Sequence, residues 1–166
     1  MKRRVIYLID LLIIIVLTVL DLFTKHVAEV SLKGQAPFVI IDGVFEFNYL
    51  ENAGSAFGIM RGKTVLILLI SAVIMAAMIY FAIKIPEGKK YLPLHICVSM
   101  IMAGGIGNIY DRLKYGIVRD FIYFKLIDYP VFNVADMYVV VGIILLVILL
   151  LFVYKEEDLT FRSDSE

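Results

Sequence analysis

The sequence predicts an all-α membrane protein with a small β element. We expect four transmembrane helices, an extracytoplasmic β-hairpin or sheet, and an interfacial loop between the third and fourth spans. The first observation behind this prediction is composition, since 61% of the 166 residues are hydrophobic, against roughly 45–50% in soluble domains. A soluble domain of this size leaves too much of its surface in water to accommodate so much apolar sequence.

The second observation is that the apolar residues fall into four stretches, each close to the roughly 17–25 residues that a helix needs to cross a bilayer. They are residues 5–23, 64–83, 92–109 and 137–154. The basic start of the chain is like that of a secretory signal, but the apolar run after it is too long and no small-residue cleavage site follows. We interpret it as a retained span, and residues 1–166 as one integral membrane domain.

The third observation is the polar character of the segments between the spans. Four spans place both termini on one side of the membrane, and basic residues are concentrated at the N-terminus and in the short link between spans two and three. The positive-inside rule then predicts cytoplasmic termini. The polar tail, about residues 155–166, is predicted to be disordered.

The first outer segment has the pattern of a β structure over about residues 35–60. Residues 37–41 and 44–50 are rich in β-branched and aromatic side chains, and Asp42-Gly43 between them is a strong hairpin signal. We expect a small sheet that rests on the membrane surface and covers the site described below.

Charge and cysteine content exclude several classes of protein. Lys plus Arg and Asp plus Glu each number 16, which argues against a nucleic-acid binder, since such proteins carry a basic excess. The single cysteine, Cys97, excludes an intrachain disulfide and a multi-cysteine metal site. No cofactor is expected.

Polar residues gather at one predicted level, the outer edge of the membrane. Ionisable side chains in or beside a span are costly and are therefore functional candidates. The residues at this level are Asp21, Lys25, Asn52, Asn108, Asp111, Arg112, Asp120, Asn133 and Asp136.

Each of these residues also has a structural interpretation. Asp21 and Lys25 are spaced for a helix-surface ion pair, and Asp136 can complement the positive end of a helix. Away from this level, we assign no chemistry to Asp10 and interpret His95 and Cys97 as helix contacts. The glycines of residues 104–107 indicate close helix approach rather than a dinucleotide site.

Two carboxylates are the best candidates for chemistry, because the sequence has no H-E-x-x-H or G-x-S-x-G motif and no Cys-His pairing. If Asp120 and Asp136 face each other, they share one proton. The ionised member can then accept a proton from water that attacks an amide carbonyl, and the protonated member can polarise that carbonyl. This scheme needs no metal.

Five sequence blocks carry a family resemblance. They are residues 21–25 (DLFTK), 52–57 (NAGSAF), 104–112 (GGIGNIYDR), 118–121 (VRDF) and 132–136 (FNVAD). In this order, on four spans, they resemble the lipoprotein signal peptidases, or signal peptidase II, of bacterial membranes.

The resemblance implies an aspartic endopeptidase of the bacterial cytoplasmic (inner) membrane, with its active site near the outer face. It implies substrates that are diacylglyceryl-modified prolipoproteins, cleaved just before the modified cysteine, and inhibition by globomycin. Asp120 and Asp136 match the catalytic pair. The positions implied to bind substrate or shape the site are Asn52, Asn108, Arg112, Asn133, Asp21, Lys25, Asp111, Gly54, Gly104, Val118 and Ala135.

The chain departs from the usual family pattern at three positions, Leu22, Ser55 and Arg119. The first commonly holds Gln, the second Ala and the third Val. In an extended segment Arg119 points away from Asp120, whereas otherwise its charge lowers the pKa of Asp120.

Three other functions fit parts of the pattern. A membrane phosphotransferase would bind Mg²⁺ through Asp111, Asp120 and Asp136 and lose activity with a chelator. A transporter or proton relay usually has ionisable groups near the bilayer midplane, whereas these lie at one edge. A non-catalytic assembly subunit would tolerate replacement of Asp120 or Asp136.

Overall fold

A computed structural model of the protein describes residues 2–54 and 63–159. Within these ranges, four helical segments are long and apolar enough to cross a membrane. The four helices are α1 (Arg3–Leu32), α2 (Thr64–Lys84), α3 (Leu92–Tyr115) and α4 (Val134–Ile148). Together with a three-stranded antiparallel sheet, they confirm the predicted fold class.

The helices extend beyond the predicted spans at their outer ends. α1 continues past Phe23 to Leu32, and α3 continues past Ile109 to Tyr115, where Gly116 ends it with φ 74°. Polar residues expected at the ends of spans, such as Lys25 and Asp111, therefore lie inside helices. They pair with one another across helix contacts, so the helices need not end where hydropathy falls.

α4 begins at a capping box, three residues before the predicted span. The side chain of Asn133 accepts a hydrogen bond from the backbone N–H of Asp136, and the Asp136 carboxylate accepts one from the Asn133 N–H. This reciprocal pairing satisfies two N–H groups that a helix start leaves open. α4 ends in a π-type turn over Leu149–Val153.

The sheet has the order β1 (Phe38–Ile41), β2 (Phe45–Asn52) and β3 (Val118–Phe124). The turn predicted at Asp42-Gly43 joins β1 to β2, with Gly43 at φ 69°. In contrast, β3 lies in the segment that the sequence predicts to be an interfacial loop. The first five residues of β3 are all buried, so the strand shows no alternation of apolar and polar residues.

The sheet packs on the outer end of α1, and α3 is the central helix. Ala28 of α1 forms a buried cluster with Phe121 and Ile122 of β3. Half of the most apolar window of α3 is buried, against 6–11% for the other three helices. α3 therefore supplies the surface on which the other helices meet.

Some sequence predictions fall outside the described residues. These are positions 55–62, which include Ser55 and the end of the predicted β segment, and positions 160–166 of the predicted tail. The described part of the tail includes a short 3₁₀ helix, Glu156–Leu159.

Candidate active site

A cleft of about 770 Å³ opens where α3, α4 and the sheet meet. Asp120 and Asp136 both line it. Val139 and Val140 of α4 form part of its wall, and residues of the sheet and of the segment after β3 line the rest. The cleft-lining residues that sequence reasoning missed include Asn48, Leu50, Tyr123, Asp128 and Tyr129. No motif marked them, since such residues are common in surface segments.

Asp120 is 2% exposed and lies opposite Leu50 in the sheet. Its Oδ2 accepts a hydrogen bond of 2.8 Å from Asn52 Nδ2, and its Oδ1 accepts one of 2.6 Å from Asn133 Nδ2. Burial raises the pKa of Asp120 to about 7, and the nearby charge of Asp136 acts in the same direction, against the two amide donors. Asp120 can therefore hold a proton near neutral pH.

Asp136 lies in the first turn of α4, where two donors hold it. Its Oδ1 accepts a hydrogen bond of 2.8 Å from Asn108 Nδ2, and its Oδ2 accepts the 3.2 Å bond from the Asn133 N–H. Asn133 thus contacts both aspartates, one through its side chain and one through its backbone. The residue that begins α4 also fixes the relative position of the two carboxylates.

Lys25 lies beneath the aspartates and is fully buried. Its Nζ donates a hydrogen bond of 2.8 Å to Asn108 Oδ1 and lies 2.8 Å from Asp21 Oδ2. Because the lysine ammonium is only a donor, it fixes the carbonyl side of the Asn108 amide. The NH₂ group of Asn108 must then face Asp136.

Small residues allow the helices to approach closely at this level. A Cβ atom on Gly104 would lie 2.3 Å from the Ala135 carbonyl oxygen, and one on Gly107 would lie 2.3 Å from Asp21 Oδ2. The backbone N–H of Ala135 donates a 2.9 Å bond to Asp21 Oδ1. α1, α3 and α4 therefore meet through Asp21, which explains its place among the predicted site residues.

Arg112 brings a cation to the cleft wall. Its Nη2 donates a 3.0 Å bond to the Gly54 carbonyl, and its Nη1 donates a 3.3 Å bond to the Asn108 carbonyl. The Gly54 N–H in turn donates to Asn52 Oδ1 at 2.9 Å, which directs the Asn52 amide N–H toward Asp120. Arg112 thus anchors the segment after β2 to α3.

Asp111 binds Arg119, a residue that sequence reasoning noted as a departure but did not place in the site. The Arg119 side chain contacts Asp111 and Glu29 rather than Asp120. This is the arrangement expected of an extended segment. Val118, 2% exposed, pairs with Asn52 in the sheet.

A second polar cluster lies well away from the cleft, in the inner half of the helices. Asp10 Oδ2 lies 2.8 Å from His95 Nδ1, and Ser99 Oγ donates a 3.3 Å bond to Asp10 Oδ1. These contacts join α1 to α3, in keeping with the interpretation of His95 as a helix contact. Cys97 is buried.

Comparison with known proteins decides the family. The family profile described as Signal peptidase (SPase) II matches residues 13–152. The chain belongs to the signal peptidase II family. A curated relative from Clostridium novyi, named "Lipoprotein signal peptidase", is 46% identical over 86% of this chain and 97% of its own. Another of that name, from Staphylococcus aureus, is 31% identical over 95% of this chain and 93% of its own.

Solved structures agree with this membership in signal peptidase II. A bacterial membrane enzyme determined by the in meso method at 2.3 Å superposes with a TM-score of 0.74 at 29% identity, covering 95% of this chain and 93% of its own. A second, at 1.9 Å, gives 0.74 at 31% identity, covering 87% and 94%. This signal peptidase is therefore a multi-pass membrane enzyme.

Proposed function

We propose that this protein removes signal peptides from diacylglyceryl-modified prolipoproteins as an aspartic endopeptidase, cleaving just before the modified cysteine. The observation that carries the catalytic type is the arrangement of two carboxylates. Asp120 and Asp136 line one cleft, and Asn133 contacts both. The raised pKa of Asp120 favours a pair that shares one proton near neutral pH.

In the proposed mechanism the pair acts on water and on the scissile carbonyl. The ionised carboxylate accepts a proton from a water molecule as that water attacks the carbonyl carbon, and the protonated carboxyl donates to the carbonyl oxygen. The tetrahedral intermediate then collapses, and the proton taken from water passes to the leaving amine. The amides of Asn52, Asn108 and Asn133 keep the acceptor oxygens oriented, so little reorganisation is needed during the reaction.

The form of the cleft supports a substrate that arrives from the bilayer. Val139 and Val140 offer an apolar wall at the membrane side, suited to the signal helix. Arg112 and the amides offer hydrogen-bonding groups at the level of the carboxylates, suited to the peptide backbone. We place the protein in the bacterial cytoplasmic membrane with its termini inside and this cleft near the outer face, following the density of basic residues near the N-terminus.

The arrangement of Asp111 disfavours a metal-dependent phosphotransferase. That function requires Asp111, Asp120 and Asp136 to share one cation. Both oxygens of Asp111 instead accept hydrogen bonds from Arg119, and Asp111 is not among the residues that line the cleft.

The test uses purified protein in lipid with a diacylglyceryl-modified prolipoprotein, and mass spectrometry to locate the cut. Wild type, Asp120→Asn and Asp136→Asn are compared with and without EDTA, and thermal unfolding checks that each variant folds. We expect wild type to cleave before the modified cysteine, with or without EDTA, and globomycin to inhibit. Each variant should lose at least about 1,000-fold in rate.

Three outcomes would contradict the proposal. Cleavage that persists in a folded Asp120→Asn or Asp136→Asn variant would exclude the carboxylate pair as the catalytic group. Cleavage by wild type that is abolished by EDTA would indicate metal chemistry instead. A cut at any other bond would refute the proposed substrate specificity.

A further inference from the structure

We propose that Arg119 is a positioning residue for the cleavage reaction, acting on the carboxylate pair through Asp111 and Lys25. The inference rests on the proposed function, since it assigns a role within the same site. Unlike Asp120 and Asp136, Arg119 does not line the cleft. Arg119 donates to Asp111, Asp111 lies near Lys25, and Lys25 donates to the Asn108 amide that contacts the pair.

The first step is the set of hydrogen bonds that Arg119 donates to Asp111. The backbone N–H and Nε of Arg119 donate to Asp111 Oδ2 at 3.1 and 3.2 Å, and its Nη2 donates to Oδ1 at 2.6 Å. Its Nη1 donates to Glu29 Oε2 at 2.9 Å, and the guanidinium lies 4.7 Å from the centre of the Tyr115 ring. Arg119 is 3% exposed and Asp111 is fully buried. One residue thus supplies three donors to one buried carboxylate.

The second step is the competition between Asp111 and Asn108 for Lys25. Lys25 Nζ lies 3.8 Å from Asp111 Oδ2, beyond hydrogen-bond distance, and 2.8 Å from Asn108 Oδ1. A buried carboxylate without a close counterion is costly, and Lys25 is a cation already near Asp111. Without Arg119, the ammonium of Lys25 should therefore move toward Asp111 and away from Asn108.

The third step joins Lys25 to the carboxylate pair. The bond from Lys25 holds the oxygen of the Asn108 amide, and the NH₂ group of the same amide donates to Asp136 Oδ1 at 2.8 Å. That oxygen also accepts a 3.2 Å bond from Asn133 Nδ2. When Lys25 leaves, the Asn108 amide loses the contact that fixes its orientation, and the donor to Asp136 is no longer held. Arg119 thereby keeps the donors to the pair in place.

The charged groups around the pair come from each element packed against it. They are Asp21, Lys25 and Glu29 on α1, Asp111 and Arg112 on α3, Asp136 on α4, Asp120 and Arg119 on β3, Glu51 opposite Arg119 on β2, and Asp128 after β3 at the cleft wall. Lys25 lowers the pKa of Asp120. Withdrawal of Lys25 therefore weakens the stabilisation of ionised Asp120 and shifts the titration of Asp120 to higher pH.

The test measures kcat, KM and the pH profile of kcat/KM for Arg119→Gln. We expect kcat to fall about 10- to 100-fold while KM stays within about threefold, since displaced catalytic groups cost this much without loss of substrate binding. The descending limb of the profile should move to higher pH by roughly half a unit. Arg119→Lys, which keeps the charge, should lose less activity and leave the limb in place. If Arg119→Gln fails to fold, Arg119→Lys is measured in its place.

A double variant separates positioning from simple destabilisation. Asp111→Asn in the Arg119→Gln background removes the carboxylate charge that attracts Lys25, so Lys25 should return to Asn108 and kcat should recover at least about tenfold. Glu29→Gln is the matched control. It removes the other ion pair of Arg119 but leaves the Asp111 contacts, and we expect its kcat and pH profile to match wild type within about twofold.

Three outcomes would overturn the inference. One is a folded Arg119→Gln variant with wild-type kcat. Another is equal loss in Glu29→Gln and Arg119→Gln, which would show a stability effect. The last is a double variant that is no better than Arg119→Gln alone. Failure of wild type to cleave the prolipoprotein would instead refute the proposed function.

Discussion

Two buried polar clusters join α1 to α3, and they differ in what they can do. The inner cluster of Asp10, His95 and Ser99 is a local group whose described contacts link the two helices to each other. The outer network draws residues from α1, α3, α4 and the sheet, and its two aspartates line a cleft of about 770 Å³. Both clusters place carboxylates inside a membrane protein.

Burial of an ionisable residue therefore does not by itself mark an active site. In the inner cluster, Asp10 meets an imidazole and a hydroxyl beside an apolar cavity of about 260 Å³. In the outer network, two carboxylates accept hydrogen bonds from amide donors beside a large cleft. Burial, together with the charge of Asp136, raises the pKa of Asp120 to about 7. Coupled carboxylates with access to substrate are the feature that favours catalysis.

Among the variants that compare the two clusters, we expect the largest loss of kcat at Asn133, which contacts both aspartates. Asn133→Ala should lower kcat by about 100-fold or more, because it removes the donor to Asp120 and the cap that positions Asp136. Asn133→Ser is the control, since a serine can cap α4 but is too short to reach Asp120. We expect it to restore thermal stability and leave kcat low. Full activity in Asn133→Ser would mean that the cap alone matters.

The pH profile of kcat/KM also distinguishes the two clusters. The raised pKa of Asp120, about 7, means that Asp120 loses its proton as pH rises through this value. Steady-state kcat/KM measured from pH 5 to 10 should therefore fall about tenfold per unit above the descending limb. Asp10→Asn should leave the limb unmoved, because Asp10 lies outside the network. If the descending limb moved in Asp10→Asn, the two clusters would not be functionally distinct.

The same pKa affects stability in a definite direction. Folded Asp120 binds its proton up to about pH 7, whereas the unfolded carboxyl releases it near the ordinary value of 3.8. The folded state thus binds more protons between these values, and the free energy of unfolding decreases as pH rises through them. Asp120→Asn should unfold about 2–5 °C higher than wild type at pH 8. Equal midpoints at pH 8 would indicate that burial of Asp120 carries no such cost.

The smallest effect on catalysis is expected in the inner cluster. Asp10→Asn should keep kcat within about threefold of wild type, but lower the free energy of unfolding by about 1–3 kcal/mol, because it weakens a buried contact between α1 and α3. Ser99→Ala removes only the 3.3 Å bond and should cost less. Parallel turnover and thermal unfolding measurements check both. A loss of more than about 30-fold in kcat for folded Asp10→Asn would give this cluster a part in catalysis.

Local signals predicted the parts of the fold that depend on neighbours in sequence. Asp42-Gly43 predicted its turn correctly, because the connection between Ile41 and Phe45 needs a positive φ at Gly43 that glycine readily adopts. In contrast, β3 was predicted as a loop, since burial on both faces removed the alternation that marks a strand. The sequence predicts that α1 and α3 end several residues before they do, because Lys25 and Asp111 interrupt the apolar pattern but not the helix.

The amino-acid sequence alone predicts four membrane-spanning helices and a shared level for the polar residues at one end of them. These properties follow from segment length and hydropathy, which govern the membrane insertion of each segment separately. Tertiary structure alone decided the partners, such as Asn133 with both aspartates and Asp111 with Arg119. Partners depend on how each helix is rotated and how closely it approaches its neighbours, as at Gly104 and Gly107. Those distances arise only when the whole bundle packs.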